Sequence, residues 1–138
     1  MSVLALAQTK AVLTGAPLGL SAGMTTQLPY RQGVYDCVLA SLVFNQLNPA
    51  DRSNALREVL RVLSPGGKLC IVDFGQPLGL LAFLISLMVR HLEETADIIK
   101  GALPSMLQQT GFTNVQTQTH LLTIVGTLTL YVAEKPTE

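Results

Sequence analysis

Residues 28–73 read LPYRQGVYDCVLASLVFNQLNPADRSNALREVLRVLSPGGKLCIVD. Two apolar runs flank a capped, amphipathic segment, and a Pro-Gly-Gly turn precedes the second run. After Asp36 the first run is almost continuously apolar to Phe44, the pattern of a strand covered on both faces. A helix start follows. Asn48 is placed to cap it, Pro49 suits the first helical position, and Asp51 meets the positive end of the helix dipole. Ala55, Leu56, Val59, Leu60 and Leu63 then share one face, with Arg52, Arg57, Glu58 and Arg61 away from it. Ser64-Pro65-Gly66-Gly67 stops the helix and turns the chain into residues 68–73, a second buried strand. Strand, helix and strand over this length predict a right-handed βαβ crossover with parallel pairing.

On the amino-terminal side, Val3, Leu4, Ala7 and Ala11 form a helical stripe that Gly15 and Pro17 bring to an end. Residues 18–20 suit a short strand, with Gly23-Met24-Thr25 as a loop beyond it. On the carboxyl side comes an oily run, residues 77–89, too short for the ~20 residues of a membrane span. It reads as a packed or interfacial helix. Ile98, Ile99, Ala102, Leu103, Met106 and Leu107 then keep helical spacing, with Pro104 marking a kink or a fresh start and Gly111 a C-cap. Val115, Thr117 and Thr119 alternate with glutamines, and Leu128, Leu130 and Val132 alternate with Thr127, Thr129 and Tyr131. Two period-two runs in succession predict an antiparallel pair closing one edge of the sheet. The fold class is α/β, in a single domain spanning residues 1–138.

Apolar residues make up 49% of the chain and charged residues 13%, so a real core is expected. Nine basic and nine acidic residues cancel without a basic cluster, which argues against a nucleic-acid partner. Cys37 and Cys70 sit inside apolar runs without metal-ligand spacing. They read as small buried hydrophobes in a reducing, cytoplasmic setting. No secretory signal pattern is present at the start.

The joint pattern resembles the second half of the class I S-adenosylmethionine-dependent methyltransferases. Leu28-Pro29-Tyr30, Tyr35-Asp36, the helix LREVLRVL and Pro65-Gly66-Gly67-Lys68 recur at the family's spacing, as do the tails LQQTGFTNV and GTLTLYVAEKP. Within that family the chain looks most like the ubiquinone/menaquinone-biosynthesis type of small-molecule methyltransferase. The resemblance implies a partial Rossmann-like sheet, parallel strands finished by an antiparallel hairpin, with S-adenosylmethionine as cofactor and a small, apolar, lipid-like acceptor. It also implies a departure. The family opens with a strand and a G-x-G-x-G loop where backbone approaches the cofactor, and no G-x-G-x-G occurs in these 138 residues. The expectation is a chain that starts one βαβ unit late, roughly 30 residues or more.

The resemblance assigns Gly23, Met24 and Ser41 to the cofactor side, and Asn45, Gln46, Asp73 and His91 to the acceptor side. Met24 stands where relatives often have an aspartate for the adenine amine, and a thioether is no carboxylate acceptor. Asn45 and Gln46 stand where relatives often carry histidine, and amides orient a group without taking its proton. Asp36 reads as an anchor at its strand's start. His120 has no recognisable partner, and no residue is assigned a catalytic role. Two functions stay open: methyl transfer, or a non-catalytic accessory subunit that self-associates or pairs with a complete relative. A start upstream of Met1 is a third way to account for the missing loop. An uncovered sheet edge would favour a homo-oligomer or a partner, and the oily run is compatible with a membrane-surface contact.

Overall fold

The computed structural model describes residues 3–15, 17–74, 102–123 and 126–138. The elements are α1 (Val3–Thr14), β1 (Tyr35–Ser41), a short 3₁₀ turn (Phe44–Gln46), α2 (Pro49–Val62), β2 (Leu63–Phe74), α3 (Leu103–Thr110), β3 (Thr113–Thr123) and β4 (Gly126–Glu134). The sheet has four strands in the order β1-β2-β4-β3. β1 and β2 run parallel, and β4 is antiparallel to both β2 and β3. The expected βαβ unit and the carboxyl-terminal pair are both present.

Helix α2 begins as its sequence dictates. The Asn48 side chain accepts from the Asp51 N–H at 2.9 Å, and Pro49 occupies the first turn. The helix lays Ala55, Leu56 and Val59 on the sheet, where they pack with Leu69, Ile71, Tyr131 and Ala133 and with Leu103, Leu107 and Phe112. Pro104 lies in the first turn of α3, and Gly111 ends the helix in the left-handed region at φ 112°.

Four expectations need correction. Arg52 is not on the outer face of α2: it is fully buried, because positions 52, 55, 56 and 59 lie on one helical stripe. β1 is not covered on both faces. Val38 and Ala40 pack on the core, while Cys37, Leu39 and Ser41 are exposed and Leu39 keeps 70% of its surface in water. Among the described residues the core packs on one face of β1 and nothing packs on the other. Cys37 is consequently exposed and Cys70 half-buried rather than buried. Residues 18–20 form no strand, since the chain there lies against no sheet edge and its ladder groups have no partner to pair with.

The Pro-Gly-Gly segment is a bulge within β2. The register jumps from Tyr35↔Leu63 to Cys37↔Lys68, with Gly66 at φ 75°. The Gly66 N–H donates to the Lys135 carbonyl at 3.0 Å, and the Lys135 N–H returns a bond to Gly67 at 2.9 Å. At the same end Ser64 Oγ donates to Asp36 Oδ1 at 2.9 Å, so Asp36 does anchor the start of β1.

The oily run, residues 77–89, and His91 lie outside the described residues. Among the described residues no helix is long and apolar enough to cross a membrane.

Candidate functional site

The carboxyl ends of β1 and β2 lie side by side, with Ser41 opposite Val72. In parallel α/β sheets this is the end at which ligands bind. Just past Ser41 the backbone turns sharply: Leu42 has φ 55°, a conformation that costs a side-chain-bearing residue about 1 kcal/mol or more. The turn is held on both sides. The Leu42 N–H donates to the Val72 carbonyl at 2.8 Å, and Gln46 Nε2 donates to the Leu42 carbonyl at 2.9 Å. The strain thus sits in a braced turn at the ligand end of the sheet.

Asp73 is fully buried at this end of β2. Its Oδ2 accepts from the Asn45 N–H at 3.1 Å and its Oδ1 from its neighbour's N–H, on Phe74, at 2.8 Å. Burial pushes its carboxyl above the ordinary carboxylate range, opposed by the N–H groups of Phe74, Asn45 and Phe44 and by the Arg52 charge. Arg52 Nε in turn donates to the Phe44 carbonyl at 2.9 Å. The 3₁₀ turn is therefore gripped from two sides, by a buried carboxylate on its N–H groups and a buried guanidinium on its carbonyl.

The register Asp73↔Thr129 extends the cluster across the sheet. Thr129 Oγ1 is 3.0 Å from His120 Nδ1. The Tyr131 phenol is pushed up by burial, lowered by its hydrogen bond with Thr129 and raised again by Asp73. One polar atom stands apart. Asn45 Oδ1 is buried and has no hydrogen-bond partner among the described residues, an arrangement that costs about 1–3 kcal/mol unless something else satisfies it.

Asn45 and Asp73 are thus joined, with Gln46 beside Asn45, while Ser41 ends the neighbouring strand on its exposed face. Gly23 and Met24 belong to another segment, a tight turn in which the Gln27 N–H donates to the Met24 carbonyl at 3.0 Å. That turn is tied to α2 through Leu28. Glu58 Oε2 accepts from the Leu28 N–H at 2.8 Å, while Arg61 donates to the carbonyls of Tyr30 at 2.9 Å and Leu28 at 3.1 Å. Arg61 and Glu58 pair with each other at 2.8 Å. A Cβ at Gly23 would sit 2.7 Å from Pro29 Cδ, so the chain's own packing already requires glycine there. The shallow concavity along α1, lined by Gln8, Ala11, Val12, Gly15, Leu18 and Leu20, includes none of these residues.

Residues 1–71 match the family model described as the methyltransferase domain. This chain belongs to that family. The family is that of the class I S-adenosylmethionine-dependent methyltransferases, whose fold the chain shares and whose expected cofactor is S-adenosylmethionine. An uncharacterized methyltransferase of Synechocystis is 35% identical over 97 residues, covering 68% of this chain and 46% of that protein. A demethylmenaquinone methyltransferase of Mycolicibacterium vanbaalenii is 45% identical over 56 residues, covering 41% of this chain and 24% of that protein. The matches thus span less than half the length of these relatives. Among solved structures, a SAM-dependent methyltransferase of Methanosarcina mazei superposes with a TM-score of 0.72 at 21% identity, over 98% of this chain and 78% of that one.

Of the residues that the resemblance assigns to the cofactor side, two present exposed groups in separate segments. Ser41 offers an exposed hydroxyl at the strand end, and Met24, 69% exposed, offers an apolar thioether surface. Nothing in the sequence reproduces the glycine loop. Arg52, Leu42, Thr129 and Tyr131 were not marked as site residues by sequence reasoning. Thr129 and Tyr131 could have been found from register, because pairing residue 73 with residue 129 puts the Thr/Tyr set of β4 on the core face.

Proposed function

We propose that this methyltransferase chain serves S-adenosylmethionine-dependent methyl transfer to a small, apolar acceptor. The observation that carries the reading is the gathering of Ser41, Asn45, Gln46 and Asp73 at the carboxyl ends of the two parallel strands, with Asn45 Oδ1 left unpaired. S-adenosylmethionine, when bound, supplies an electrophilic methyl on its sulfonium. The chain's own part is to align the acceptor with that methyl and to exclude water. Ser41 would border the cofactor, with Met24 packing an apolar edge and the Gly23 backbone completing the turn. Asn45 and Gln46 would orient the acceptor by hydrogen bonds, and Asp73 would hold their turn in place. His91 is retained as a candidate on the acceptor side.

The relatives named for demethylmenaquinone methylation support an acceptor with a ring and an apolar tail, and the composition of residues 77–89 suits such a ligand. The domain is read as one unit over residues 1–138, equivalent to the later two-thirds of the fold, in a cytoplasmic protein. A second reading is favoured by a separate observation. The outer face of β1, exposed among the described residues, suits an accessory subunit that self-associates or pairs with a complete relative.

Calorimetric titration of the purified chain with S-adenosylhomocysteine, alone and then with a demethylated quinol present, tests the proposal. One saturable site per chain is the expected result. Absence of heat at millimolar ligand would leave the accessory reading in its place.

A further inference from the structure

Helix α1 is apolar on every side. It reads VLALAQTKAVLT, with Lys10 its only charge and the polar Gln8, Thr9, Lys10 and Thr14 spread around the circumference. In a folded protein a helix of that pattern is buried on more than one face, and one of 12 residues is marginal in water without packing. Yet Ala11 is the one buried residue described in α1, while Val12 and Leu13 are 76% and 79% exposed. The sheet has the opposite need. On its face away from the core, the register aligns Leu39 with Cys70 and Val132, and Ser41 with Val72 and Leu130. Leu39 and Ser41 are exposed there, and among the described residues nothing packs over Leu39. Helices are what cover sheet faces of this kind, so one chain carries both an apolar helix to bury and a face to receive one.

We propose that two copies of this chain exchange α1 reciprocally, each laying its helix along the outer face of the other's β1. The proposal rests on the self-association in the accessory reading and gives it a surface and a partner. The dimensions agree. A helix of this length is ~18 Å long, and β1, with 7 residues, is ~23 Å long. Covering half the circumference of such a helix buries roughly 350 Å² of it, and about as much of the sheet. One contact therefore takes about 350 Å² from each chain, whereas the reciprocal pair takes about 700 Å², close to the ~800 Å² per partner of a stable complex. A two-fold axis uses both helices and both faces, so the assembly closes at two copies. A membrane surface fits these features less well. It takes a helix with separate polar and apolar faces, and it would leave the outer face of β1 uncovered.

The test is sedimentation equilibrium of the full chain and of two charged variants, alone and mixed. The parent is expected to be a dimer. Val12→Glu places a carboxylate on the helix and Leu39→Lys an ammonium on the sheet face. Each variant alone is expected to be monomeric at concentrations where the parent is fully paired, with circular dichroism showing that it is folded; Leu13→Glu replaces Val12→Glu should that variant unfold. An equimolar mixture is expected to recover the dimer, because one helix–sheet contact then brings the opposite charges together and the other is unaltered. A monomeric parent would overturn the proposal and self-association with it, leaving pairing with a complete relative. A dimer that either folded variant leaves intact, a mixture that stays monomeric, or growth beyond two copies would overturn the exchange while keeping self-association.

Discussion

Glu58→Ala should unfasten the segment that leads from the Met24 turn into β1. Glu58 and Arg61 form a clamp: the carboxylate takes the Leu28 N–H, and the guanidinium takes the carbonyls of Leu28 and Tyr30. The Glu58 carboxyl is lowered from 4.5 to about 2, chiefly by its hydrogen bond to Arg61, against the opposing effect of burial and with help from the Leu28 N–H and the Arg61 charge. At about 1.4 kcal/mol per tenfold change in proton affinity, that displacement bounds the contribution at about 3 kcal/mol. The Arg61 side chain keeps 34% of its surface in water and Glu58 19%. Screening and the modest worth of an i, i+3 pair reduce the bound to about 1–2 kcal/mol.

The sign follows from a lowered carboxyl. The stabilisation is complete above the unfolded value of 4.5 and is lost as pH falls toward about 2. Urea unfolding of parent and variant near neutral pH should therefore differ by about 1–2 kcal/mol, and the gap should close steadily through that acid window. A gap that stays constant across the window would refute the charge-based origin. No gap at neutral pH would refute the clamp itself.

Three further outcomes follow from the same geometry. Arg52→Ala removes a buried guanidinium from the Phe44 carbonyl and from beside Asp73; an equilibrium unfolding curve should show a loss of about 3 kcal/mol or more. Asn48→Ala deletes the cap on the Asp51 N–H and should cost about 1 kcal/mol in the same measurement, with Asn48→Ser recovering most of it. Leu56→Ala opens a void under a fully buried side chain and should lower stability by about 2–5 kcal/mol, read from the urea midpoint.

Local signals carried far in this chain. The cap residues, the apolar stripe of α2 and the left-handed Gly111 are each set by their own neighbours, and each appears where its residues place it. What the sequence could not show depends on context across the sheet. A run such as residues 37–43 reads the same whether one face or both are covered, and among the described residues nothing packs over Leu39. Arg52 looks like a surface cation until the Phe44 carbonyl and Asp73 supply buried partners. In β4 the alternation of Leu128, Leu130 and Val132 with Thr127, Thr129 and Tyr131 does not by itself say which set faces the core, and Thr127, Thr129, Tyr131 and Ala133 are the buried set. The hydroxyls of Thr129 and Tyr131 find each other there, and Thr129 also meets His120. The candidate site was half legible: Ser41, Asn45, Gln46 and Asp73 share one end, but the strained Leu42 between them carries no mark in its residue type.

The placement of ligand at the carboxyl ends of β1 and β2 is tested most directly by following backbone amides through an S-adenosylhomocysteine titration with two-dimensional nitrogen–proton NMR. Saturable shifts at Ser41, Leu42, Asn45 and Phe74, joined by Met24, are the expected result. Shifts confined to α1 and its concavity, or none at millimolar ligand, would contradict it.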